Sequence, residues 1–177
     1  MPAAPLTVRF SALHNISMSV VSLGMIMVAV THFMSNPVNA PTLSLNDPRF
    51  VLFLMLAIAL GYYVFLGISR ARNRQPQVVV DQDGIQLGFG RDRRFAWDEI
   101  NWVRLRRLAL RPQLEIGLDG QAFIAAGLRL SMWSFDDSLR PVRGQATTVL
   151  VRDNGLDTRA AAMLDAVRAF RPNLVKT

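Results

Sequence analysis

The side chains able to do chemistry in this 177-residue chain are few in kind. Cysteine is absent, which removes thiolate nucleophiles, disulfide frameworks and cysteine-ligated zinc or iron–sulfur sites together. His14 and His32 stand near opposite ends of one apolar stretch, too far apart to share an ion, and read as interfacial polar residues. Among the 13 acids are two adjacent pairs, Asp98-Glu99 and Asp136-Asp137. General acid–base chemistry or metal binding needs carboxylates that converge across a cleft, whereas sequence neighbours mark solvated turns. No G-x-S-x-G, P-loop or H-E-x-x-H pattern occurs, and Gly84-x-x-x-Gly88-x-Gly90 falls in an expected hairpin with no helix after it. The sequence points away from an enzyme and calls for no cofactor and no metal.

Arginine is what the chain has in quantity. Twenty basic residues, of which only Lys176 is lysine, face 13 acids for a formal charge of +7. Three clusters stand out: Arg70/Arg72/Arg74, Arg91/Arg93/Arg94 and Arg104/Arg106/Arg107/Arg111. Arg70, Arg72, Arg74, Arg91, Arg93 and Arg94 are the candidate contacts to a membrane surface or an anionic phospholipid. An arginine held beside such a surface contributes at most about 1 kcal/mol. The plainer reading of the same residues is topogenic charge and solvated surface. Nucleic acid ranks last as a partner, because no helix-turn-helix, RNP-like or zinc-finger pattern accompanies the charge.

The elements that would position these residues change character along the chain. Hydrophobic residues make up 51% and charged residues 19%, with a mean hydropathy of +0.23, high for a wholly soluble domain. Ile16–Met34 and Phe50–Ile68 contain no Asp, Glu, Lys or Arg. Each is long enough to cross a hydrocarbon core, which takes about 20 helical residues. The loop 35–49 carries Pro37, Pro41 and Pro48 among Asn and Asp residues that stop helices. Residues 1–74 therefore read as a transmembrane helical hairpin. Arg9 and the Arg70–Arg74 cluster flank it while the loop holds only Arg49, so the positive-inside rule puts both termini in the cytoplasm. A cleaved signal peptide is the alternative for the first span, on the small residues Val38-Asn39-Ala40, but the apolar stretch exceeds the usual h-region of about 7–15 residues. Asn15, Ser19 and Ser22 share one face of the first helix with Gly24 nearby, and Ala57/Gly61 form a small pair on the second; both suit helix packing better than a transport path.

From Gln75 the period becomes that of strands. Val78–Val80, a turn at Asp81–Gly84 with positive φ at its glycine, and alternating Ile85, Leu87 and Phe89 make a hairpin. A second turn at Gly90–Arg93 leads to Arg94–Trp97. Asn101–Leu110 is β-compatible with a bend at Arg106-Arg107, Pro112 interrupts, and Leu114, Ile116 and Leu118 alternate. Asp119-Gly120 signals a hairpin before Ala122-Phe123-Ile124, Ser131–Gly144 reads mostly as a loop that tucks in Met132, Trp133, Phe135 and Leu139, and Thr147–Arg152 is a final strand. Ala160, Met163, Leu164, Val167 and Phe170 recur at helical spacing after a cap at Leu156–Thr158, and Pro172 ends that helix. The fold class is α+β: two membrane helices, then residues 75–177 as a small β-barrel or sandwich closed by a C-terminal amphipathic helix.

The run Val78-Val79-Val80-Asp81-x-Asp83-Gly84-Ile85, followed by Phe95-Ala96-Trp97-Asp98-Glu99-Ile100, resembles bacterial pleckstrin-homology-like domains. Their D-x-x-G-I and W-x-x-I signature is carried here by Gly84, Ile85, Trp97 and Ile100, and the likeness extends over residues 76 to 171. It implies a bacterial two-pass protein of the cytoplasmic (inner) membrane, belonging to a group of unknown function. In eukaryotic relatives the phosphoinositide site is a basic first hairpin; the turn here is acidic, so that ligand does not transfer. Trp97 is expected as a core anchor, with Asp98 and Glu99 facing solvent. The function expected is a non-catalytic binding module on a membrane anchor, docking proteins or anionic lipid, with a protein partner or further copies of the chain. The alternative is an accessory or regulatory subunit of a membrane enzyme or transporter.

Overall fold

A computed structural model describes residues 4–35, 42, 44–88, 93–108, 111–125, 139–141 and 148–176. The chain divides into two compact units, Phe10–Arg74 and Met1–Arg9 with Gln75–Thr177.

The first unit is a pair of helices, α1 (Ala12–Ser35) and α2 (Pro48–Arg72), each extending beyond the apolar stretch that marks it in the sequence. At 1.5 Å per residue they are about 36 and 37 Å long. Both are long and apolar enough to cross a membrane, and 11% of the apolar stretch in each is buried. Asp47 caps α2, its Oδ1 accepting the Arg49 N–H at 2.9 Å, and Pro48 fits the first turn, where no N–H is needed. Arg70 and Arg72 lie in the last turn, complementing the helix dipole.

Asn15, Ser19 and Ser22 are buried as the shared face implies, and the Ser19 hydroxyl donates to the Val64 carbonyl of α2 at 3.0 Å. The small residue that sets the approach is Gly67, where a Cβ would collide with the Ser19 hydroxyl and the Asn15 carbonyl. Gly24 and Gly61 have open space in that position, so the expected Ala57/Gly61 contact is not the tight one.

The second unit holds two antiparallel four-stranded sheets. The first runs in the order β1 (Leu6–Val8), β2 (Val78–Val80), β3 (Gly84–Leu87), β4 (Arg93–Ala96). The second comprises β5 (Ile100–Leu108), β6 (Arg111–Leu118), β7 (Leu139–Pro141) and β8 (Thr148–Val151), in the spatial order β5-β6-β8-β7. Among the described residues no ladder joins the sheets, so they do not close into a barrel. The helix α4 (Ala160–Phe170) packs Ala160, Met163, Leu164 and Val167 against β5, β6 and β2. With Val8, Val78, Val80, Ile85, Val103, Leu114, Ile116, Val149 and Val151 these form a core sealed from solvent.

Several local expectations are corrected. Leu6–Val8, counted in the sequence with the membrane hairpin, pairs with Val78–Val80 and belongs to this unit. Asp119 does not turn a hairpin: its carboxylate accepts the Gln121 N–H at 3.0 Å and starts a short helix, α3 (Gly120–Ala125), where a strand was expected. The strand β5 runs through Arg106-Arg107, and its irregularity falls between Ile100 and Trp102. Pro112 lies inside β6, beyond the stretch that pairs with β8, where its missing N–H breaks no ladder on that side. Leu139–Pro141 is strand rather than loop. Helix α4 is capped by Asp153, whose Oδ2 accepts the Ala160 N–H at 3.1 Å, because Asp157 is engaged elsewhere, exchanging hydrogen bonds with the Arg9 backbone. Phe89, Gly90, Leu110, Met132, Trp133, Phe135 and Asp136-Asp137 lie outside the described residues.

Candidate functional site

The arginines picked out by the sequence divide by what they touch. Arg94 spans the turn between β2 and β3, donating to Asp81 at 2.8 Å and Asp83 at 3.0 Å. The acidic turn and the arginine thus neutralise one another. Arg93 donates to the Ala125 carbonyl at 2.7 Å at the end of α3. Arg70 lies over the Phe10 ring, 5.0 Å from its centroid. Arg72 and Arg74 are exposed, and Arg91 lies outside the described residues. The structure therefore gives the two members of the second cluster that it describes structural partners, and leaves Arg72 and Arg74 as solvent-facing charge.

The signature residues are placed by packing. Trp97 begins a 3-10 turn (Trp97–Glu99) and is buried; its Nε1 donates to the carbonyls of Asp81 and Gln82 at 3.2 and 3.0 Å, and its ring stacks on Phe170 at 6.4 Å. This one side chain ties the β2–β3 turn to the end of α4. Ile100 and Ile85 are core residues. Gly84 has φ +153° and opens β3, where any Cβ would meet the Phe95 carbonyl of the neighbouring strand; the turn itself is made by Asp81, whose Oδ1 accepts the N–H groups of Asp83 and Gly84 at 2.9 and 3.2 Å. Asp98 is exposed as expected, but Glu99 folds back so that its Oε2 accepts the Ala96 N–H at 2.9 Å.

A second polar cluster, on β5 and β6, was not legible as a unit in the sequence. Glu115 is entirely buried, and its carboxylate accepts from Arg104 Nε at 2.6 Å and Arg106 Nη1 at 3.2 Å. The register Arg104↔Glu115 makes the first pair directly cross-strand, and alternation places Trp102 and Arg106 on the same face. The Arg104 guanidinium lies over the Trp102 ring at 4.7 Å, and the Lys176 ammonium is 5.7 Å from the same centroid. Opposite Trp102 stands Gly117, where a Cβ would run into the indole, so a glycine is what gives the tryptophan its place. Lys176 reaches the cluster because the tail lies along the edge of β5: its N–H donates to the Val103 carbonyl at 2.9 Å and Val175 bridges Val103 in parallel.

Chemically this arrangement offers charge. A carboxylate removed from water is tolerable only when fully paired, and two guanidiniums do that here while keeping part of their surface exposed. Arg104-x-Arg106 and Glu115 on the reverse of Leu114/Ile116/Leu118 are the traces of it in the sequence; Trp102 and Lys176 leave none. Against known protein families, curated proteins and solved structures, the chain gives no match.

Proposed function

We propose that this chain is a two-pass protein of the bacterial cytoplasmic membrane whose sheet unit is a non-catalytic, pleckstrin-homology-like binding module docking anionic lipid or protein on the cytoplasmic side. The observation that carries the reading is the outward face of the hairpin: Leu13, Val28, Leu52 and Phe65 are 79%, 68%, 70% and 70% exposed in helices that keep Asn15, Ser19 and Ser22 inside. Water does not favour such a surface over this area, whereas a bilayer does. Connectivity supports the two-pass form. Strand β1 precedes α1 and β2 follows α2, yet both share one ladder. Two crossings return the chain to the side it left, as that ladder requires; cleavage after the first span would remove the strand that supplies Val8 to the core. The positive-inside rule, acting through exposed Arg72 and Arg74, favours the cytoplasmic side for the sheets. Sheet order and the closing helix support the pleckstrin-homology-like reading.

The cysteine-free chain makes the test direct. Leu45→Cys in the loop and Ala161→Cys on the exposed side of α4 are treated in intact spheroplasts with a membrane-impermeant maleimide. The expected result is labelling of residue 45 from outside and of residue 161 only after lysis. Release of the protein by alkaline carbonate, or labelling of both positions in intact cells, overturns the proposal.

A further inference from the structure

The edge of the second sheet that β5 forms is covered in part by the chain's own end. Val175 bridges Val103 in parallel, and the Lys176 N–H donates to the Val103 carbonyl at 2.9 Å. Hydrogen bonding alternates along an antiparallel strand, so Leu105 and Arg107 turn their backbone groups to this same edge. Among the described residues β5 is paired there only at Val103. Such an edge is a template for another strand, and the tail shows that it takes one.

By charge the tail is a poor occupant of that seat. Alternation puts Val175 with Val103 on the core side and Lys176 with Trp102 on the other. Contacts running from Arg106 through Glu115, Arg104 and Trp102 to Lys176 join three cations to one carboxylate. The two arginine side chains stay 35% and 38% exposed, and Lys176 is exposed as well. The tail therefore adds a positive charge to a face that already sets two guanidiniums against a single carboxylate.

We propose that the tail is a displaceable strap, and that the β5 edge binds an extended acidic segment of a protein partner, added as a strand in the tail's place. Apolar side chains at alternate positions of that segment replace Val175 beside Val103. Carboxylates between them meet the exposed sides of Arg104 and Arg106. A second copy of β5 does not fit, because it sets arginine against arginine. The inference deepens the protein half of the docking function proposed above and rests on it.

The full-length chain, kept in a non-ionic amphipol, is titrated with the peptide acetyl-Glu-Val-Glu-Val-Glu-Val-Glu-amide, its lysine counterpart, and the acidic peptide with every amide N-methylated. Saturable binding of the first alone is expected, with new hydrogen-exchange protection at the Leu105 N–H. Truncation after Asn173 removes the strap and should tighten binding by about tenfold. Lys176→Glu gives the tail the favoured charge and should weaken binding by about fivefold, the worth of one cross-strand ion pair. Equal affinity in the parent, the truncated chain and Lys176→Glu overturns the proposal, as does equal binding of the methylated peptide. Phosphatidylglycerol vesicles are run beside the peptides. Sedimentation of the chain with vesicles but no peptide binding overturns this proposal and leaves the docking function standing on lipid; binding of neither overturns both.

Discussion

The two units of this molecule solve burial in opposite senses. In the hairpin the inside is Asn15, Ser19, Ser22 and Gly67, and the outside is leucine, valine, methionine and phenylalanine. In the sheet unit the inside is mostly Val, Ile, Leu and Met, and among the described residues the buried polar side chains are Gln77, Thr148 and Glu115, the last paired with two partly exposed arginines. The difference teaches what each surface was built to meet. In a bilayer, where the proposed function places the hairpin, contact between helices brings no hydrophobic gain, so close approach and hydrogen bonds must hold them. In water the removal of apolar area is itself the driving force.

Substituting the same residue type in both regions breaks or sharpens this contrast most strongly. Ile116→Ala empties part of the sealed core and should cost about 2–5 kcal/mol, read as a fall in the denaturation midpoint. Ile58→Ala, on the exposed face of α2, leaves no cavity and should cost less than about 1 kcal/mol. Equal losses at the two positions would mean that the outward face of the hairpin is a packed protein core. Ile58→Arg then separates lipid from water. Near the middle of a spanning helix it should cost about 2.5–3.5 kcal/mol of insertion, measured as loss of the membrane-integrated fraction. Unchanged integration, with better solubility, would show that this face meets water.

How much of the contrast was legible in the sequence depends on how local its causes are. The hairpin was, since uncharged apolar length and proline-rich punctuation are properties of contiguous residues. Helix α4 was too, through the recurrence of Met163, Leu164 and Val167. Strand β1 was not: three residues carry no period, and Leu6–Val8 becomes a strand only because Val78–Val80, far along the chain, offers it an edge. Helix α3 failed for a different reason, since Asp-Gly serves a hairpin turn and a helix cap equally well, and the Gln121 N–H decides between them. The Glu115 cluster needs the register of β5 against β6, which depends on where the irregularity after Ile100 falls. The candidate arginines were visible as residues but not as free or engaged ones; Arg94 could be assigned to Asp81 and Asp83 only once the turn was folded.

Within the hairpin the claim that polar contacts hold the helices is tested by Ser19→Ala. It removes the bond to the Val64 carbonyl without changing the backbone approach at Gly67. The expected cost is about 0.6–1.7 kcal/mol, followed by steric trapping or by denaturation in mixed micelles. Gly67→Leu, which cannot be accommodated against Ser19 and Asn15, should exceed it. A Gly67→Leu variant as stable as the parent would show that α1 and α2 do not depend on close contact.

The smallest effect expected is at the exposed end of the hairpin, and it is a matter of pH. The Arg49 N–H, and then the Thr42 N–H and hydroxyl, hold the carboxyl of half-buried Asp47 below the usual aspartate value of 3.8. The helix N-terminus favours the same charged form. Because the folded value lies below the unfolded one, the cap stabilises α2 fully above the unfolded pKa and is lost as the pH falls through the folded one. Hydrogen exchange at the Arg49 N–H, corrected for intrinsic rates, should therefore lose protection as the pH drops below about 4. Asn caps a helix as well as Asp but does not titrate, so in Asp47→Asn the protection should be retained and flat over the same window. If Asp47→Asn loses protection along the same curve as the parent, the acid sensitivity belongs to another group, and the start of α2 is held by Pro48 and the packing behind it rather than by its cap.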